Sequence, residues 1–388
     1  MTRKRYGNDG TTAVKTVCAI VFCLFTFIYL YCYQGSVLAV AQNHLSHGAT
    51  RYDHLVGALL ITFVAWLVQR GVQFVMRLSD RLYAFGFFPS VLLLAMLCDY
   101  RSSDVASHYL RVWTWLAPLS FLAWWGLLSM LRQAEEYDSR VLPASLFSRS
   151  MWVSLLLLGL QFLFLGGMTG GDDNFHYRAR IEAELMKGRV EEAARVGKRS
   201  MVSSPSLTML RAYTLSLQGR LGDELFRYPV SNGSDALLPT NAHASCLLLP
   251  ADSIYHHLGG KPAHEMTVLT YLKLLRRTGH ASKAAADYEL CAHLLNRNLQ
   301  SFVRLLPRYY AINDSLPRHY REALVLYVHQ TSSPLIVYHE NAIDTDYDDL
   351  QKLERTYPDA TARSLAVYKQ YFGTYWWYYF YAGKTGRP

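Results

Sequence analysis

Apolar residues crowd into five stretches within the first 170 residues, and more than 210 residues of ordinary mixed polarity follow. A membrane-spanning helix takes roughly 17–25 mostly apolar residues. The stretches at about 17–33, 55–76, 82–98, 110–131 and 151–168 meet or approach that length. In lipid the backbone must satisfy its own hydrogen bonds, so each stretch is expected as a helix. The second ends in Gln69, Arg70 and Gln73, which sets its last turns near the headgroups. The third is short and holds Pro89, and the fourth holds Pro118. Proline lacks an N–H, so both are expected to kink their helices. The pattern predicts an all-α protein: a membrane domain over 1–171 and an extracytoplasmic helical domain over 172–388.

Lys and Arg near the helix ends set orientation. One side carries Arg3, Lys4, Arg5, Lys15, Arg70, Arg77, Arg81, Arg132, Arg140 and Arg149. The other carries only Arg51, Arg101 and Arg111. The N-terminus is therefore expected in the cytoplasm, and five crossings place the C-terminal domain outside it. Ala39-Val40-Ala41 resembles a signal-peptidase site. The preceding apolar run is long for a signal peptide, so an uncleaved helix is expected. No Asp, Glu or Lys sits mid-span. Such groups mark ion pathways, which argues against ion-coupled transport. Gln161 is expected to bond a neighbouring helix.

In the C-terminal part the pattern changes to helical hairpins. Residues 175–200, 207–229 and 268–295 each read as helix, turn, helix, with turns at Gly188, Gly219 and Gly279. The turns are 31 and 60 residues apart, near one and two periods of a 34-residue hairpin repeat. This looks like a degenerate tetratricopeptide-type array without that family's aromatic and proline pattern; an irregular helical bundle is the alternative. Between the second and third units, 228–263 is long for a connection. It contains Asn232-Gly233-Ser234, His256-His257, Gly259-Gly260 and Pro262. Further helices are expected near 299–312, broken at Pro307, and near 316–330, 348–356 and 360–372.

Five phrases carry a resemblance across nearly the whole chain: YLYCYQGSVLAVAQ (29–42), FFPSVLLLAML (87–97), SLTMLRAYTLSLQG (206–219), LPRHYREALVLY (316–327) and DTDYDDLQ (344–351). They resemble a family of uncharacterised multi-pass membrane proteins of Bacteroidota, defined only as a domain of unknown function. The resemblance implies the inner membrane of a Gram-negative bacterium. It implies no activity and no functional residues.

The net charge of +9 is spread evenly. Residues 1–171 hold 13 Lys/Arg against 8 Asp/Glu, and 172–388 hold 26 against 22. Without a basic block, nucleic-acid binding is not expected. Asp344, Asp346 and Asp348 are a weak Ca²⁺ candidate. The EF-hand pattern fails, because its glycine and glutamate positions hold Asp349 and Arg355. An acidic helix start explains the run better. No HExxH, GxSxG, Walker or GxGxxG motif occurs, so no catalytic residue, metal or cofactor is assigned. His256 and His257 are ligand candidates, together with the terminal aromatics Tyr375, Trp376, Trp377, Tyr378, Tyr379 and Tyr381. The aromatics suit a membrane interface, a sugar or partner platform, or a helix closing the core. Cys246 and Cys291 are the only cysteines of the C-terminal part; in a periplasmic domain they are candidates for a disulfide, and two separately buried thiols are the alternative.

The expected function is an inner-membrane scaffold whose periplasmic repeats bind a protein partner. One alternative is an envelope enzyme or glycan-handling protein with its site in the 228–263 loop or at the terminal aromatics. The other is a transporter or channel component.

Overall fold

The computed structural model describes residues 6–79, 82–100, 112–137, 149–170, 172–231, 233–239 and 244–382. Among the described residues there is helix and no strand. Two compact units form, Met1–His176 and Tyr177–Pro388.

In the first unit, α1 (Tyr6–Ile28) passes through a π-helical turn (Tyr29–Gln34) into α2 (Gly35–Leu45). The apolar run therefore continues well past residue 33. Ala39-Val40-Ala41 lies inside α2, with Val40 and Ala41 buried, so the helix runs unbroken through the stretch that resembles a signal-peptidase site. Next come α3 (His54–Met76), a 3₁₀ turn (Tyr83–Phe87), α4 (Phe88–Cys98), α5 (Trp113–Tyr137) and α6 (Arg149–Thr169). The α3 start is capped by Asp53, whose carboxylate accepts from the Leu55 and Val56 amides at 2.9 Å.

Among the described residues, four helical runs are long and apolar enough to cross a membrane: Ala13–Leu45, His54–Met76, Trp113–Gln133 and Met151–Thr169. The fifth expected span is shorter, Tyr83–Cys98. It is not one kinked helix. Pro89 sits in the first turn of α4, where its missing N–H would have no partner in a helix beginning there. The residue four before it, Phe85, keeps a carbonyl that Pro89 cannot serve. The Trp124 indole of α5 donates to it at 3.0 Å, and Gln161 of α6 donates to the Ala84 carbonyl at 2.9 Å. Gln161 thus bonds a neighbouring segment as expected. Val91, Leu94 and Ala95 are fully buried, so α4 is the core helix of this unit. Pro118 lies inside α5. Of the loop cations, Arg3, Lys4, Arg5, Arg81, Arg101, Arg111 and Arg140 lie outside the described residues, as does the Arg149 side chain.

The unit boundary falls within α7 (Asp173–Met186). The second unit continues with α8 (Val190–Arg195), α9 (Pro205–Leu217), α10 (Leu221–Glu224), α11 (Ala251–Leu258), α12 (Val268–Thr278), α13 (Lys283–Leu295), α14 (Leu299–Leu305), α15 (Arg318–Gln330), α16 (Asn341–Thr356), α17 (Ala360–Tyr371) and α18 (Tyr375–Tyr381). Short 3₁₀ turns add Leu225–Arg227, Ser234–Leu237 and Leu306–Arg308. The three expected turns are present, and Gly188, Gly219 and Gly279 all adopt the left-handed conformation that glycine tolerates best. The hairpins are lopsided, because α8 has six residues and α10 four. Residues Ser206–Ser216 of α9 are buried on every side, and most of α13 and α15 is buried with them. These three helices form the core on which the others pack.

Candidate functional site

The described residues of the 228–263 segment, which leave out 232 and 240–243, pack against α12 around a groove of about 610 Å³. That volume lies within the usual range for ligand sites, roughly 300–1,000 Å³. In α12, Val268, Tyr271, Leu272 and Leu275 follow the i, i+3, i+4, i+7 spacing of a buried face, and Thr267 caps the helix. In α11, Ile254, Tyr255 and Leu258 are buried while Asp252 stays exposed. The turn between these helices depends on Gly259, at φ +131°. A Cβ there would meet the His280 carbonyl oxygen at 1.9 Å, so only glycine lets α11 end against that loop. The Ser282 amide then bonds the Leu258 carbonyl at 3.0 Å.

Tyr255 and Tyr271 meet edge to face in the groove, ring centres 5.5 Å apart. Their hydroxyls donate to the Pro239 and Gly260 carbonyls. Both rings are fixed from two ends, and burial raises both hydroxyls above the usual tyrosine pKa. Asp235, Asp252 and Glu265 also line the groove, with Lys261 paired to Asp252 at 2.8 Å.

The sequence-based candidates fall elsewhere or only partly here. His256 is exposed on α11. His257 points to α9, where its Nε2 lies 2.9 Å from the Ser216 hydroxyl and its ring meets Tyr213 edge-on. Burial lowers its pKa. Among the described residues no carboxylate orients this imidazole, so Ser216–His257 lacks the third member of a nucleophilic triad. Asp344, Asp346 and Asp348 lie within α16, whose start at Asn341 is earlier than expected. Successive helical positions turn by about 100°, so Asp346 leaves the face shared by Asp344 and Asp348. The Asp344 carboxylate instead accepts from the Glu340 amide at 3.1 Å, as an acid at a helix start does. Among the described residues no three His, Cys, Asp or Glu side chains converge on a metal position.

The terminal aromatics are largely core. Tyr375, Trp376 and Tyr378 are buried. Tyr375 and Tyr378 donate to the Leu294 and Leu295 carbonyls at 3.2 and 2.7 Å, and the Trp376 indole donates to the Glu322 carbonyl at 2.8 Å. Trp377 packs on Phe372 and Tyr368; Tyr379 bonds Gln330 and Tyr381 bonds Glu354. Cys246 and Cys291 are both free thiols in this structure. Cys291 is fully buried on α13 with the Tyr320 hydroxyl at 3.6 Å, and burial pushes the Cys246 thiol up to about 12.

Three polar arrangements had no sequence signal. The amides of Leu247, Leu248 and Leu249 converge on one oxygen of buried Glu182, at 2.7, 2.6 and 2.8 Å. Desolvation raises that carboxyl despite the three bonds. Arg211 is buried with the Val202, Pro229 and Gly197 carbonyls, and burial lowers it to about 10. Asp287 accepts from the Tyr310 and Tyr320 hydroxyls at 2.6 and 2.9 Å, and burial raises it. Each ties distant segments together with its polar atoms facing inward. The groove, unlike these three clusters, presents a shaped surface to a ligand.

A family of unknown function (DUF6057) has a model that matches residues 261–382, running from the lip of the groove through α18. Neither the curated proteins nor the solved structures provide a match. The chain is thus similar, over its last third, to a family to which no activity is attached.

Proposed function

We propose that this protein is a five-pass inner-membrane protein that holds its second unit in the periplasm as a protein-binding scaffold. The groove between the 228–263 segment and α12 carries the reading, because its floor is fixed before any ligand arrives. Preformed sites lose little freedom on binding. The three glycine-turned hairpins favour a degenerate tetratricopeptide-type array, an architecture that displays such surfaces.

Helix directions in the first unit support the odd number of passes. Ser90 of α4 donates to the Ala65 carbonyl of α3, and Gly86 faces Gln69, so these segments run antiparallel. Extending that register sets Cys98 opposite the first turn of α3. The 3₁₀ turn and α4 together rise about 26 Å, close to a bilayer core of about 27–30 Å. At α5, Trp113 bonds Asp99 and Trp124 bonds Phe85, again antiparallel. At α6, Phe162 stacks on Phe25 and Thr169 bonds Tyr29, so α6 runs parallel to α1. A chain that enters along α1 then leaves along α6 on the opposite face.

A photocrosslinking residue at Thr267, on the groove rim, tests the scaffold reading in cells. One discrete adduct is expected, lost when Ala263→Trp fills the groove and kept when the distant exposed Arg355 is changed. Equal adducts in the filled and open proteins would refute it. The enzyme alternative would use the same groove and would show turnover rather than a stable adduct.

A further inference from the structure

Arg211 brings a positive charge into the interior of the second unit, at 3 % exposure on α9. Its Nη1 donates to the Val202 and Pro229 carbonyls at 3.3 and 3.1 Å, and its Nη2 to the Gly197 carbonyl at 3.4 Å. A guanidinium has five N–H donors, so these bonds leave donors over, and Nε is buried with no hydrogen-bond partner. Among the described residues no Asp or Glu pairs with this guanidinium. The Tyr228 ring covers it at 5.0 Å, and Glu224, close by in sequence, is held by Arg220 and Arg227. Burial lowers Arg211 only to about 10, so it is still a cation at neutral pH. Carbonyls and a ring face solvate that cation without cancelling it, and a buried charge is costly until it is paired.

A cavity of about 10 Å³ adjoins the side chain, lined by Arg211 with Ile181, Ala194, Val196, Thr214 and Tyr228. That is room for a single occupant about the size of a water molecule. From the unbalanced charge, the unused donor and the size of the space, we infer that this cavity is a site for one monatomic anion of the chloride class. A water molecule would accept from Nε, but only an anion also neutralises the guanidinium. Phosphate, sulfate and carboxylate groups are too large for the space. The other polar groups of the wall are already engaged: the Tyr228 hydroxyl donates to the Ala194 carbonyl at 3.0 Å, and the Thr214 hydroxyl to the Leu210 carbonyl at 2.7 Å. The site shares no lining residue with the groove. Its walls come from α7, α8 and α9, so the ion ties those three helices together and the stability of the second unit depends on it.

The test is thermal unfolding of the full-length protein in detergent, with sodium chloride replacing sodium gluconate at constant ionic strength so that screening does not change. An ion that binds only the folded unit raises the melting temperature by about 3–5 °C for each tenfold in chloride above its Kd. Bromide should act like chloride, and gluconate, which cannot enter the cavity, should not. Arg211→Met removes the charge and should flatten the response. Ala194→Val fills the cavity while leaving the guanidinium and its carbonyl bonds in place, so it should flatten the response too, and it decides the matter if Arg211→Met does not fold. Arg195→Met, at an exposed cation on α8, should leave the response intact. A wild-type protein whose melting temperature does not rise with chloride would overturn the inference and leave the cavity to water. A rise that survives Ala194→Val would overturn it as well, because the anion would then be binding elsewhere.

Discussion

Replacing Glu322 by alanine should destabilise the second unit by about 3 kcal/mol. Glu322 is 3 % exposed and organises the docking of α18. One carboxylate oxygen lies 2.8 Å from Arg318 Nε; the other is 2.9 Å from His319 Nδ1 and accepts the Tyr375 amide at 2.7 Å. Removing one partner of a buried charged pair costs about 3–5 kcal/mol. Arg318 is 41 % exposed, so water screens its share and the lower end applies. The buried His319 ring and Tyr375 amide, each worth about 1–3 kcal/mol when stranded, give the same magnitude independently. For a unit of this size, 1 kcal/mol moves the melting temperature by about 2–4 °C, so a drop of about 6–12 °C is expected. The assay is thermal unfolding of the full chain in detergent, read by near-ultraviolet circular dichroism of the packed aromatics. Glu322→Gln, which keeps the shape, should lose less. Desolvation pushes the Glu322 carboxyl upward, but His319, Arg318 and the Tyr375 amide together bring it below the usual range. Its stabilisation is therefore complete above the ordinary carboxylate pKa and disappears as pH falls through the lower folded value. A loss under 1 kcal/mol for Glu322→Ala would refute the claim that this carboxylate locks the last helix in place.

Other outcomes follow from the same geometry. Trp124→Phe removes the indole donor from the Phe85 carbonyl, which keeps its bond from the Phe88 amide, so it should cost only the net worth of one hydrogen bond, about 0.5–1.5 kcal/mol in denaturing-detergent titrations; a loss above about 3 kcal/mol would contradict this. Glu182 has a raised pKa, so the native state holds its proton longer than the unfolded chain. Stability relative to Glu182→Gln should fall as pH rises from the ordinary carboxylate value through the folded one, and a flat difference across that window would contradict it. Gly259→Ala places a methyl group against the His280 carbonyl at an unfavourable φ; it should cost more than about 2 kcal/mol in thermal unfolding of the full chain, and a loss under about 1 kcal/mol would contradict this.

Long apolar helices were the most legible part of the chain. The expected 55–76 and 151–168 correspond to His54–Met76 and Arg149–Thr169, because length and polarity decide such segments locally. The sequence pattern ends the first helix at 33, since Gln34, Gln42 and Asn43 break the apolar run; Gln34 is buried and bonds Tyr29, which local pattern cannot show. The Asp344–Asp349 run looked like a helix start, yet α16 begins at Asn341, where Asp344 bonds back to the Glu340 amide. At the site, the excess length of 228–263 was visible, and most of the groove lining comes from it. Its pairing with Tyr271 was not visible, because that contact exists only once α11 and α12 have packed. The terminal aromatic run was conspicuous for composition, and its destination inside the core depends on Glu322, more than fifty residues earlier.

The parallel course of α1 and α6 makes one measurement most direct. Compartment-sensitive reporters are fused after Ala382 and, in a second strain, after Arg140. The five-pass account predicts an extracytoplasmic signal at Ala382 and a cytoplasmic one at Arg140. A cytoplasmic signal at Ala382 would contradict it, and would mean that the 83–98 segment dips into the bilayer without crossing.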